Sequence, residues 1–168
     1  MVKIVLSIVL LLSISACSSK HNTHNMYKPF QMVKPEEATL LQTGKDKKYC
    51  YICGMDLVRF YKTSHAATKA DGTHFQYCSI HCLEDHLGHG VILKNPQVVD
   101  VSSLKFIPVG EAHYVVGSKK RGTMSYVSKY AFKNLEDAQT FQSKNGGEIT
   151  DFEKARESAQ EDFNHFQK

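Results

Sequence analysis

Apolar residues along this chain first bunch together, then thin out, then return with two different periods. After Lys3 they run from Ile4 to Leu12, broken only by Ser7, and Ser13-Ile14-Ser15-Ala16 follows before Cys17. A charged start, a short apolar centre and small residues ahead of a cleavage point make an export signal, too short to span a bilayer. From residue 18 to about residue 48 the side chains are mostly polar, broken by Pro29 and Pro35. This predicts a flexible tether.

Periodicity then appears. Leu57-Val58-Arg59-Phe60-Tyr61 is a β-prone run, and residues 64–70 and 73–77 flank Asp71-Gly72, a hairpin signal. Ile80, Leu83 and Leu87 recur at helical steps, with Ser79 placed to cap the start and Gly88 and Gly90 to stop the helix. Val91-Ile92-Leu93 and residues 98–101 supply a closing strand or two. The same order recurs downstream: a strand at 113–116, a turn at 119–122, a strand at 124–132, then a helix capped by Asn134 and ended by Gly146-Gly147. Leu135, Ala138 and Phe141 line one face of that helix, and 148–152 closes the unit. Ala155, Ala159, Phe163 and Phe166 then mark a terminal amphipathic helix, read as packing.

The predicted fold class is therefore α+β: two similar ββαβ halves, each too small to bury a core alone, packed into one small body after a flexible N-terminal tether. The boundaries are 1–16 for the signal, 17–48 for the tether, 49–109 for the first half and 110–168 for the second half with its C-terminal helix. The repeat puts His65 and His113 at similar places near the starts of their hairpins, and His74 and Met124 just beyond the two turns.

Charge changes this picture little. The whole chain carries a formal +4, and Lys and Arg are scattered apart from Lys119-Lys120-Arg121 and residues 45–48. A nucleic-acid partner needs a continuous basic face, so that class is set aside.

The sulfur atoms change it more. Cys50-x-x-Cys53-Gly54-Met55 puts three soft donors within six residues, and Cys78-Ser79-Ile80-His81-Cys82 lies about 24 residues on. Cu(I) favours thiolate with thioether, which points to Cys50, Cys53, Met55, Cys78, Cys82 and Met124. Zn(II) takes four thiolates and gains little from Met, so a structural zinc site competes with copper at the same cysteines. In an oxidising compartment an even cysteine count also reads as disulfides, and an oxidised resting form can alternate with a reduced metal-binding one. A thioredoxin-like role fits less well, because this Cys-x-x-Cys precedes strands and does not open a helix. Of the histidines, His113 and His74 are the better placed donors, while His21 and His24 with Met26 sit in the tether.

Ile14-Ser15-Ala16-Cys17 resembles the lipobox of bacterial lipoproteins, which makes Cys17 the lipidated anchor, and Ser18 after it favours the outer membrane of a Gram-negative cell. Cys50-x-x-Cys53-Gly54-Met55, the stretch from Phe75-Gln76-Tyr77-Cys78 to Cys82-Leu83, Ala112-His113-Tyr114-Val115-Val116-Gly117 and a Met after the second turn resemble the NosL family of nitrous oxide reductase accessory lipoproteins. The resemblance implies two ββαβ halves related to an organomercury lyase domain, and a periplasm-facing, non-enzymatic Cu(I)-binding lipoprotein. It implies delivery of copper to apo nitrous oxide reductase together with a membrane ABC-type complex. It carries ligand roles most directly to Cys53, Met55 and Met124, then to Cys50 and Cys82. Cys78 stands where a family member can carry a carboxylate, and Thr123-Met124-Ser125 replaces a Pro-Met-Gly common in the family. The expected function is copper delivery for the nitrous oxide reductase copper centre, with His113 completing the ligand set. The alternative is a Zn(II)- or disulfide-stabilised interaction module without copper transfer.

Overall fold

Two short hairpins, each followed by a helix and a closing strand, give the chain its frame. The computed structural model describes residues 28–166, with side chains described to residue 162. The signal at 1–16, Cys17 and the His21, His24 and Met26 group lie outside the described residues.

In the first half, β1 (His65–Thr68) and β2 (His74–Tyr77) pair antiparallel, α1 (Ile80–Gly88) follows, and β3 (Lys94–Val99) returns beside β1. A further strand, β4 (Phe106–Pro108), extends the sheet to the order β2-β1-β3-β4. In the second half, β5 (His113–Val116), β6 (Lys129–Phe132), α2 (Leu135–Asn145) and β7 (Glu148–Thr150) repeat the scheme with the order β6-β5-β7. Each sheet thus holds its first strand between its second and third, as the duplication predicts. The closing helix is α3 (Phe152–Phe166).

The two sheets meet where the chain leaves β3 and runs beside β6. Asp100 and Ala131 form a parallel bridge, the Val101 N–H donates to the Ala131 carbonyl at 2.9 Å, and the Asp100 carboxylate accepts the Lys133 N–H at 3.1 Å. Helix α3 crosses back over the first half. Ala155 and Ala159 are fully buried, and these small residues let it approach closely enough for Arg156 and Gln160 to grip Glu84 on α1 at 2.7 and 2.9 Å. Beneath it, Ile80, Val98 and Tyr114 form a core shared by both halves. Leu57 and Leu83 anchor the core of the first half, each contributing about 2 kcal/mol by leaving water.

The structure departs from the sequence pattern in six places, the first being residues 91–93, which form no strand: Ile92 is exposed and the closing strand β3 begins at Lys94. Residues 28–48 are not a free tether but a strap: Val33 packs on Tyr61 and Val99, and Gln31 donates to the Arg121 carbonyl at 2.6 Å. Its few apolar residues meet grooves formed by other elements, so no local period is needed. The run 57–61 is not a strand. The Asp56 carboxylate accepts the N–H groups of Val58 and Arg59 and curls the chain into a turn ahead of a 3-10 helix at Tyr61–Thr63. The strand expected from residue 124 begins only at Lys129, because Met124 has φ +54 and the loop before β6 is held by side chains. Ser79 and Asn134 stand at helix starts, yet neither side chain caps the backbone. Ser79 is buried, and Asn134 donates to the Asp137 side chain instead. Finally, Leu135 is 46% exposed, leaving Ala138 and Phe141 as the apolar face of α2.

Candidate metal centre

The Cys-x-x-Cys segment folds as a closed knuckle. Tyr49 and Asp56 form an antiparallel bridge at its base, and inside it the Cys50 N–H donates to the Met55 carbonyl at 2.8 Å and the Gly54 N–H to the Cys50 carbonyl at 2.9 Å. The turn requires φ +71 at Gly54, a conformation that residues with a Cβ adopt only under strain. Opposite, Cys78 lies in the short bend between β2 and α1, and Cys82 stands on the first turn of the helix, where their sulfurs approach to 3.7 Å.

The two groups converge. One sulfur from each of Cys50, Cys53, Cys78 and Cys82 lies within 4.8 Å of all the others. Cys78 is central, 3.5 Å from Cys53 and 3.7 Å from Cys82. A tetrahedral thiolate site with Zn–S bonds of about 2.3 Å has sulfur–sulfur edges of about 3.8 Å, so the thiols already stand near the spacing that an ion demands. All four are free thiols. Three are buried, and Cys53 alone is partly open.

Mutual contact divides their acidities. Hydrogen bonds from Cys53, Cys78 and Cys82 hold the Cys50 thiol far below the ordinary range, against the opposing effect of burial. For Cys53 the contact with Cys50 pushes upward, but Cys78 and Cys82 outweigh it and the result is lowered. Cys78 and Cys82 are pushed up, first by their contacts with Cys50 and then with Cys53. The cluster thus gives up its first protons readily and holds the last ones, because four anions cannot crowd together without a cation. An incoming soft metal ion would release those retained protons.

Beside the thiols lies an aromatic wall. The Tyr51 and Phe75 rings stand 4.4 Å apart, and the Tyr77 hydroxyl meets His86 Nδ1 at 2.7 Å. Burial pushes the Tyr77 phenol upward.

The two methionines expected as ligands share one cavity of about 840 Å³, which Met55 and Met124 line together with Phe30 and Phe60. Met124 is 40% exposed and sits between two fixed neighbours. On one side the buried Thr123 hydroxyl meets Thr63 at 2.8 Å. On the other, Ser125 donates to Asp162, which also pairs with Lys129 Nζ at 2.8 Å, both of these side chains being 2% exposed. Nothing in the local sequence marks this clamp, because Thr63 and Asp162 are distant in the chain.

The structure does not gather the histidines in the same way. His113 lines a separate recess with Lys133 and Asn134. His74 is exposed at a third cavity that Cys50 and Tyr51 also line. His65 is buried between the halves, where Nδ1 faces the Thr63 carbonyl and Nε2 the Tyr114 hydroxyl, each at 3.1 Å. A carbonyl only accepts, so Nδ1 carries the proton and Nε2 accepts from the tyrosine. Burial pushes this imidazole down to about 4.

A family model described as NosL matches residues 42–159, a span that contains all four thiols, Met55 and Met124. The chain belongs to the NosL family. Among solved structures it is similar to the copper chaperone NosL from Shewanella denitrificans, with 23% identity and a TM-score of 0.53 over 67% of this chain and 92% of that one. At that identity the likeness speaks for the fold, and the NosL fold agrees with the two similar halves described above. No curated protein gave a match. The family and the four-thiol cluster together make this a metal-binding protein.

Proposed function

We propose that the protein is a periplasm-facing lipoprotein, anchored through Cys17, that carries Cu(I) and delivers it for assembly of the copper centre of nitrous oxide reductase. Its partners are the apo-enzyme and a membrane ABC-type maturation complex. The observation that carries this reading is the convergence of four thiols with only Cys53 partly open, next to a cavity lined by two thioethers. Cu(I) prefers both donor types, and it changes hands by stepwise ligand exchange when one ligand faces outward. Copper is cargo here, so no catalytic step is required. The similar Shewanella protein is described as a copper chaperone, which supports the same reading.

A second reading is favoured by one specific observation. Sulfur separations of 3.5 and 3.7 Å match a closed tetrahedral thiolate site, the geometry of structural Zn(II). Competition between the reduced protein and a Cu(I) chelator separates the two. Copper carriage predicts tight Cu(I) binding that is lost in Cys53→Ser and weakened in Met124→Ala. Zinc that stays bound against excess Cu(I), with chelator competition unchanged in both variants, would establish the structural role instead.

A further inference from the structure

The cavity that holds Met55 and Met124 has an unexpected electrostatic wall for a copper site. Lys28, Arg59, Lys119, Lys120 and Arg121 line it, and among its described lining residues none carries a carboxylate. Lys62 and Lys120 both stand over the Phe30 ring, at 4.4 and 5.1 Å from its centre. Burial, together with the charges of Lys28 and Lys120, pushes Lys62 down against the opposing pull of Glu37. Thioethers are neutral donors. They cannot offset these charges, and a bare Cu(I) ion entering between them meets repulsion from the cations that line the cavity.

We infer that this basic cavity is the docking face for an acidic protein surface, which supplies the missing counter-charge as it receives copper at the two methionines. The inference rests on the carrier reading above and adds the chemistry of the partner. Three features favour a protein over an anionic membrane. The two thioethers line the same cavity as the cations, where lipid headgroups make no use of them. The clamp formed by Thr63, Ser125 and Asp162 ties the Met124 loop to distant parts of the chain, which suits a complementary protein face. The cations stand on three separate segments: the strap at Lys28, the knuckle side at Arg59 and the second-half loop at Lys119, Lys120 and Arg121. Opposite charge at such a surface accelerates encounter and makes it sensitive to salt.

The test is the second-order rate of Cu(I) transfer from the loaded full-length protein to apo nitrous oxide reductase, at low and high ionic strength. The wild-type rate should fall about tenfold or more as salt rises. The combined variant Lys119→Glu, Lys120→Glu, Arg121→Glu should be at least about tenfold slower at low salt and nearly indifferent to salt, with Cu(I) affinity not reduced in chelator competition. Lys144→Glu, on α2, should behave as wild type. Should the triple variant fail to fold by circular dichroism, Lys119→Gln alone carries the same expectation at smaller amplitude. A salt-independent wild-type rate, or a triple variant as fast as wild type, overturns the docking face. So does a parallel loss of Cu(I) affinity, which would assign these cations to the metal site. Binding to phosphatidylglycerol vesicles that the triple variant loses, with transfer unaffected, would also overturn it and identify a membrane face. Intact Cu(I) binding without transfer at any salt, with the membrane ABC-type complex also present, refutes the carrier reading itself, and the docking face with it.

Discussion

The two halves share a sheet order but use their hairpin connections differently. In the first half, residues 69–73 close a tight turn between β1 and β2, and the metal-binding side chains stand at the other end, where β2 enters α1. In the second half, residues 117–128 connect β5 to β6 and carry Met124 with most of the cationic wall. A short turn needs only backbone hydrogen bonds. A long loop needs tertiary fixings, and this one is held by Thr63, Gln31 and Asp162 from three other parts of the chain. One half therefore sets its thiols on a closed knuckle and a strand-to-helix bend, while the other presents its thioether on a loop whose shape is set from outside.

The equivalent histidines diverge in the same sense. His65 became a buried link to Tyr114 of the second half, whereas His113, at the matching position, stays at the rim of a recess. Duplication supplied the same residue twice, and the seam between the halves used one copy.

The comparison is open to direct attack, beginning with metal removal. Chelating the bound ion from the reduced protein should lower apparent stability by about 4 kcal/mol, for free metal a thousandfold above Kd, and move the midpoint by roughly 10 °C. Hydrogen exchange should localise the loss to the knuckle and α1, with β5, β6 and β7 still protected. Uniform loss would mean that the halves do not differ as described.

Next in size is Asp162→Asn, which leaves the buried Lys129 ammonium without its counter-charge and should cost about 3 kcal/mol in denaturant unfolding. Weaker Cu(I) binding in this variant, non-additive with Met124→Ala in a double-mutant cycle, would show that the clamp acts through Met124. Fully additive effects would restrict the ion pair to stability.

The buried His65 predicts a pH dependence. Its imidazole binds a proton near 6.5 in the unfolded chain but only near 4 when folded, so between these values the unfolded state takes up more protons. The contribution is complete above pH about 6.5 and is lost as pH falls toward 4, up to about 3 kcal/mol in all. His65→Gln should flatten that slope in urea titrations, and His113→Gln should leave it intact.

The smallest effect contrasts two glycines. Gly54 and Gly117 both have positive φ, and alanine at either should cost about 1 kcal/mol. A Cβ at Gly54 meets nothing within 4 Å, so backbone strain alone is at issue. Metal affinity should drop for Gly54→Ala and stay unchanged for Gly117→Ala, as read by chelator competition.

Much of this was legible before any coordinates. Strand, turn and helix order in both halves followed from period and turn residues, and the soft-donor set followed from sulfur content. What escaped were features with no local period. The Asx turn at Asp56 overrode the β-propensity of the residues after it, and Phe30 and Val33 on the strap packed into grooves built elsewhere.

By itself, the sequence determined the duplicated α+β order, the family and the identity of the sulfur donors, because periodicity and spacing are local properties that survive without knowledge of contacts. Only the tertiary structure decided which donors meet. It drew Cys50, Cys53, Cys78 and Cys82 into one cluster, placed Met55 and Met124 together in a basic cavity, and moved His113 to another face. Those outcomes depend on how α1, the knuckle and the second-half loop pack. Packing joins residues far apart in the chain, and spacing along a sequence carries no record of it.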